Sequence, residues 1–449
     1  MTIKQEIQAT LKLAAPMAAG QLAQFSLHIV DTMMCGRLGG LALAGAGLGS
    51  SCLAMLWLPA TGVVSAVSPL CAQAYGAQNT HLIKKSLHQA LLLSGFLFIP
   101  LFLILSYVQP LLKLLGQPPE LLPLAEQYLQ AARWGLLPAL GVAVLRNFMD
   151  SLGHPRAGMI VAISGVLINI LVNWTLMFGK FGFPALGIAG TGWATTLVNI
   201  WMFICLWFWA RQTPELRPYL PTLPFWQIDQ AVMKELLKVG LPMGVSILTE
   251  VWLFIGTAFL MGHFGSIALA AHQIALNIAS TTFMVALGIS NASSVRVAQA
   301  MGKNQPQAAY QAGIVGMLIG LSFMGTMGIL LWSVPAFFIG LYLNLEQSEN
   351  LAVFYLASHL LKIAALFQIF DALQVTSQGA LRGLKDTRIP MLLGLLCYGG
   401  IGLGSALIFA YPLQGRETGL WIGLTLGLMA AGLTLSSRFR SHFKTLPPR

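Results

Sequence analysis

Twelve stretches of apolar sequence leave this chain few folds to choose from. Each reaches or exceeds the roughly 20 residues that an α-helix needs to cross a bilayer. They run approximately over 11–34, 41–74, 86–115, 123–148, 157–178, 187–210, 234–261, 267–297, 309–341, 351–381, 389–411 and 418–437. Backbone placed in hydrocarbon must satisfy its own hydrogen bonds, and segments of this length do so as helices. The expectation is an all-α integral membrane protein with twelve transmembrane helices. Of its 449 residues 56% are hydrophobic and only 9% charged, which excludes an ordinary soluble domain. The first run follows charged residues, as a signal peptide does, but it continues beyond signal length without a small-residue cleavage site and reads as a retained helix.

The formal charge of +11 does not describe a nucleic-acid surface, because the basic residues sit in short connections between the apolar runs. With both termini inside, Arg37, Lys113, Lys180 and Arg416 fall outside and Arg133 and Lys362 fall within helices. The rest of the 25 Lys and Arg, Arg146 and Arg449 among them, fall inside. That asymmetry predicts cytoplasmic termini. The five cysteines form no C-x-x-C pair, and no His pair has ligand spacing, so neither structural zinc nor a disulfide framework is expected.

A second constraint is an internal repeat, and a repeat decides architecture. Shifted by 226, LAAPMAAGQLAQFSLHIVDTMMCG overlies VGLPMGVSILTEVWLFIGTAFLMG: Pro16 meets Pro242, Gly36 meets Gly262 and Gln24 meets Glu250. The same offset continues through Gly39 and Gly265 to Gly76 and Gly302, and at an offset of 232 Leu152, Arg156 and Met159 meet Leu384, Arg388 and Met391. Six helices per copy return the chain to its starting side, so the copies are parallel, as in one recurrent transporter plan. The proline-rich connection Arg211–Asp229, with Pro214, Pro218, Pro221 and Pro224, predicts lobes at 1–220 and 221–449.

Most acidic residues fall at the two sides, Asp150 inside and Glu346 outside among them; Asp31, Glu250 and Asp371 stay in apolar surroundings. A charge at the centre of a membrane helix costs about 2.5–3.5 kcal/mol, so such an acid marks an ion or substrate path. Asn169 and Asn173 are four apart and share a helix face. With Thr195 or Thr196 they offer oxygens suited to a small hard cation beside Asp31. Gln24, Gln273, Asn277 and Phe367 are the candidates for lining a substrate cavity, where an aromatic ring can stack on an organic cation. There is no G-x-x-x-x-G-K-[ST], H-E-x-x-H or G-x-S-x-G. Neither an enzyme nor an ATP-driven pump is expected, and active transport would draw on an ion gradient.

LAAPMAAGQLAQFSLHIVDTMMCGRLG, SLGHPRAGM, LINILVNW, LPMGVSILTEVWLF, ALAAHQIALNIASTTFMVALGISNASSVRVAQAMG and FDALQVTSQGALRGLKDTRIP together resemble the NorM-like branch of the multidrug and toxic compound extrusion family. The resemblance implies two six-helix lobes around a V-shaped central cavity and export of cationic, often aromatic, compounds in exchange for protons or sodium, without a cofactor. It assigns Asp31, Asn169, Asn173 and Thr195 to a cation site of the first lobe, and Glu250 and Asp371 to an acidic pair of the second. Sodium is a candidate at either. Some sodium-coupled members carry a tyrosine one turn before the second acid; here that position is Phe367. The expected partners are small organic cations and the lipid bilayer, with no nucleic acid, and the expected state is a monomer in a bacterial-type inner membrane. A lipid-linked precursor flippase, favoured only by Arg133 and Lys362, and a passive channel are the alternatives.

Overall fold

The computed structural model describes residues 2–114, 116–221, 227–345 and 347–444; Pro224, Glu346 and Arg449 lie outside these. Its long helices are α1 (Ile3–Gly36), α2 (Gly40–Gly76), α3 (Thr80–Ser106), α4 (Leu122–Ser151), α5 (Pro155–Phe178) and α6 (Ile188–Gln212), then α7 (Gln230–Gly262), α8 (Ser266–Gly302), α9 (Pro306–Ser333), α10 (Ser348–Gly383), α11 (Arg388–Ala410) and α12 (Arg416–Lys444). Among the described residues, eleven of these are long and apolar enough to cross a membrane. The remaining one, α1, has the length, but Gln21, Gln24, His28 and Asp31 dilute its apolar character. The twelve helices fall on the twelve apolar stretches of the sequence.

The repeat is written into the backbone as well as the side chains. Gly39 (φ 111°) and Gly265 (φ 107°), 226 apart, cap the starts of α2 and α8 in a conformation that costs other residues dearly. Gln78 (φ 55°) and Asn304 (φ 56°) repeat at the same offset, and Gly153 (φ 88°) and Lys385 (φ 60°) at 232. Both offsets found in the sequence therefore recur as matched left-handed turns. The copies diverge inside the helices. A 3-10 turn at Arg133–Gly135 interrupts α4, whereas α11 widens to a π-helix over Leu396–Leu403, a stretch holding Gly399, Gly400 and Gly402. Local widening of this kind is common beside functional residues.

By packing, the chain forms two compact units: Ala19–Gly244, and Met1–Ala18 with Val245–Arg449. This division differs from the lobes expected at 220/221. The expected boundary followed the covalent linker, whereas the packing boundary cuts through two continuous helices, α1 and α7. Within the second unit, Met1–Ala18 is tied down by Glu6, whose buried carboxylate receives the Arg296 Nε at 2.9 Å and Nη2 at 2.6 Å, and by Gly288, which leaves α8 flush against Ala18. Within the first unit, Gly240 and Gly244 of α7 leave no room for a Cβ against the α2 backbone at Val63 and Pro59. Close approach through small residues is how membrane helices gain packing energy when lipid is as apolar as they are. Another such seam in the second unit joins α8 to α10, where Gly379 and Gly383 face Ser290 and Ser294 and the Ser290 hydroxyl donates to the Val375 carbonyl at 2.6 Å.

Candidate cation sites

In the Ala19–Gly244 unit, three helices converge on one carboxylate. α1 supplies Asp31, whose Oδ1 accepts from Asn173 Nδ2 at 2.7 Å and from Asn169 Nδ2 at 3.0 Å, both on α5. α6 supplies Thr195, whose hydroxyl lies 3.2 Å from Asp31 Oδ2 and 3.0 Å from the Thr191 carbonyl. Its single proton serves one of these acceptors at a time. Between Thr195 and Thr196, the structure brings Thr195 to the acid; Thr196 turns the other way and donates to the Ala131 carbonyl at 2.8 Å. The four-residue spacing of the asparagines does what helical geometry demands, putting both amides on the side of α5 that faces α1. Asn169 and Asn173 are 1% and 0% exposed, and the Oδ1 of each is buried without a hydrogen-bond partner. Buried amide oxygens without donors are rare in folded proteins, and these two belong to groups whose nitrogens already touch a carboxylate. A cation entering here would meet hard oxygen ligands once the amides turn their oxygens towards the carboxylate.

Two members of this neighbourhood escaped the sequence reading. Tyr128, on α4, is buried beside the Thr195 side chain, and the Cys35 thiol lies 3.4 Å from the Thr191 hydroxyl. A tyrosine in an apolar run gives no charge signal, so nothing in the sequence singled it out. Arg146 and Asp150, assigned to the inner side, belong to α4 and are buried. Arg146 Nη1 donates to the Gln24 Oε1 and, at 3.3 Å, to the Gln21 Oε1, and its Nε lies 3.9 Å from Asp150 Oδ2. Gly20 and Gly158 make room for it: a Cβ at either would stand 3.1 Å from the arginine. Gln24, a candidate for lining a cavity, is thus held by an arginine that a tally of loop charges places elsewhere.

The acids of the other unit are held differently. Asp371 is buried on α10 and Glu250 partly buried on α7, and among the described residues neither makes a hydrogen bond or an ion pair. Glu250 lies within electrostatic range of Asp371 and Arg382, and Tyr398, on the π-helical stretch of α11, lies within range of all three. Arg382 Nη2 donates to Gln378 Oε1 at 2.9 Å, one turn back on α10. Gln368 and Gln374, on either side of Asp371 along α10, and His272 on α8 are buried, and their side-chain nitrogens and oxygens find no partner among the described residues. Phe367 does not line open space: it is 2% exposed and packs edge-on against Phe254 and at a tilt against Trp421, because the apolar ring is better spent on the core. Gln273 and Asn277 lie on an exposed face of α8, where Asn277 Nδ2 donates to the Gln273 carbonyl at 2.9 Å. Of the two cations inside helices, Arg133 donates to the Ser106 hydroxyl at 2.8 Å and stacks 4.8 Å from the Phe102 ring, while Lys362 is exposed.

The MatE family profile matches residues 16–175 and 242–408, two blocks whose starts are separated by the 226-residue offset of the repeat. The chain belongs to the MatE family. Among curated MatE relatives, it is 38% identical over 441 residues to a probable multidrug resistance protein NorM of Brucella suis biovar 1 (strain 1330), covering 98% of this chain and 93% of that one. It is 39% identical over 442 residues to a multidrug resistance protein NorM of Burkholderia vietnamiensis, covering 97% and 94%. The crystal structure of the eukaryotic MATE transporter AtDTX14 superposes with a TM-score of 0.85 at 23% identity, over 98% of this chain and 99% of that one. The MatE fold, twelve helices in a membrane, is thus established for this chain, and the family is one of transporters and not of enzymes.

Proposed function

We propose that this MatE-family chain is a cation-coupled antiporter that exports organic cations across a bacterial-type cytoplasmic membrane, with both termini inside. The observation that carries the reading is the Asp31 cluster: a carboxylate inside a membrane helix, encircled by two buried amides whose oxygens lack donors. The NorM relatives are multidrug resistance proteins, which points to drugs as the substrate class.

The chemistry follows from what an amide can do. With Asp31 ionised and no cation present, the NH2 groups of Asn169 and Asn173 stabilise the charge. When a sodium ion arrives, rotation of either amide about its last bond presents oxygen in place of nitrogen at nearly the same point. A proton on Asp31 instead removes the charge those amides serve. Either event changes which hydrogen bonds hold α1 to α5 and α6. A ligand shifts a two-state protein only by its difference in affinity for the two states, so cation and drug must favour opposite-facing states, each promoting release of the other. Glu250 and Asp371 form a second point of cation entry, chemically unlike the first.

The test uses purified protein in vesicles, with ethidium-like dye efflux driven by an imposed proton gradient and, separately, a sodium gradient. Loss of gradient-driven efflux in Asp31→Asn and in Glu250→Gln is the expected result. Parental rates in both variants would sink the coupling role, and dye movement with no dependence on either gradient would mark a passive channel.

A further inference from the structure

On the side of α10 away from its α8 seam, Tyr355, His359, Lys362, Leu366 and Ile369 are all exposed, at spacings that place them on one helical stripe. α9 and α12 flank it. At one end these two helices meet, where Phe439 fills the space over Gly313 and stacks on Tyr310 with ring centroids 6.0 Å apart. Towards the other end Trp332 and Ile422 wall a groove whose floor is α10. A cavity of about 380 Å³ lies there, lined by His359, Lys362, Leu366, Phe370 and Met429 as well as the two walls. A second, of about 270 Å³, continues past Gly325, Gly328 and Ile329 and shares Trp332 and Leu366 with the first.

The trough is apolar apart from its head. Lys362 has no acidic or hydrogen-bonding partner among the described residues. A lone ammonium on a membrane helix is costly where it stands. Side chains on a helix lean towards its N-terminus, and a lysine carries its charge at the tip of a long apolar stem. The Lys362 ammonium therefore rises towards His359 and Tyr355 and away from Leu366, which gathers the hydrogen-bonding groups at one end of an apolar channel.

We propose that this groove holds one anionic phospholipid, its phosphate on Lys362 and His359 and one acyl chain along the trough between α9 and α12. Charge complementarity selects this occupant. A zwitterionic lipid brings its own cation to a site that already has one, an organic cation is repelled, and an inorganic anion leaves the apolar trough unfilled. The site lies wholly within the Val245–Arg449 part of the chain and is independent of the coupling acids.

Trp332 is the reporter, its signal isolated as the difference between the parental protein and Trp332→Phe. Protein in detergent is titrated with phosphatidylglycerol or phosphatidylcholine carrying brominated chains, which quench indole on contact. Phosphatidylglycerol is expected to quench at about fivefold lower concentration, the scale of one lysine near an anionic headgroup. The double variant Lys362→Ala/His359→Ala should bring that ratio to about one, whereas Lys362→Arg should keep it. Gly325→Leu enters open space, with nothing within 4 Å of its Cβ, so it folds without a clash and should weaken quenching by both lipids. Equal quenching by the two lipids in the parental protein, or an undiminished ratio in the double variant, overturns the proposal. So does unchanged quenching in Gly325→Leu.

Discussion

Asp31 and the pair Glu250–Asp371 sit in two units built on one repeat, and the protein treats them in opposite ways. Asp31 is met by three side-chain donors from two helices. Glu250 and Asp371 have none among the described residues, and Gln368 and Gln374, one turn either side of Asp371 on α10, are buried with their polar atoms unmatched. The acids do not correspond through the repeat either: Asp31 falls opposite Thr257, and Asp371 opposite Ala139. What recurs is an arginine facing the same point of the first helix of each copy, Arg146 on Gln24 and Arg382 near Glu250, although by sequence Arg382 falls opposite Asp150. Duplication preserved the frame and let the charges drift. In one unit the carboxylate is hydrogen-bonded in advance by its neighbours; in the other the polar groups beside the acids are left unmatched, which is expensive for buried atoms.

The largest expected effect is at Asp31. Removing one charge-assisted contact is worth about 1.5–3 kcal/mol, so Asp31→Asn should lower cation-driven dye efflux by about 100-fold in vesicles, and a rate within a factor of two of the parent would mean that the organised site is not the coupling one. Asn173→Ala leaves the acid in place with one donor fewer, and the cation concentration for half-maximal efflux should rise about tenfold; no change would show that the amide only ties helices together. In the other unit, Gln374→Met removes two unmatched polar atoms at similar volume and should raise the thermal stability of detergent-purified protein by about 1–3 kcal/mol. A loss of stability would reveal that Gln374 is hydrogen-bonded through water, as a hydrated site requires.

The smallest effect concerns Asp229, at the start of α7. Lys85 donates to its carboxylate at 2.7 Å and the amides of Ala231 and Val232 also donate, which holds the carboxyl below its usual value. A group with a depressed value when folded stabilises above its unfolded value and loses that contribution as pH falls through the folded one. Asp229→Asn should therefore lower the melting temperature by about 1 °C at pH 7, given a partly exposed pair, with the difference shrinking as pH falls below about 4 and gone only below the depressed folded value. A difference that persists in acid would assign the effect to helix capping alone.

The twelve helices and the parallel repeat were legible because hydrocarbon imposes length and because an ungapped offset survives in glycines and prolines. Asp31, Asn169, Asn173 and Thr195 were legible for a related reason: a carboxylate and paired amides are conspicuous in apolar sequence, and helical spacing fixes their side. Tyr128 was not, since an uncharged aromatic looks like core wherever it stands. Arg146 was read only as an inner-side charge, because a cation near a helix end resembles a loop residue until the glycines that accommodate it are seen in space. The unit boundary was hidden for a deeper cause. A linker marks where the chain is soft, whereas packing is decided by which helix faces touch, and α1 and α7 remain continuous where they change unit.

That crossing has a consequence for biosynthesis. The second unit takes in Met1–Ala18, yet the rest of it starts only at Val245, so Met1–Ala18 must wait through the synthesis of an entire unit before its partners exist. The first unit in turn stays incomplete until α7 has been made as far as Gly244. Neither half of the gene, divided at the linker, encodes a finished body. Two co-expressed halves would have to exchange their leading helical segments to assemble, whereas a nick made in the linker after folding would find both bodies already complete.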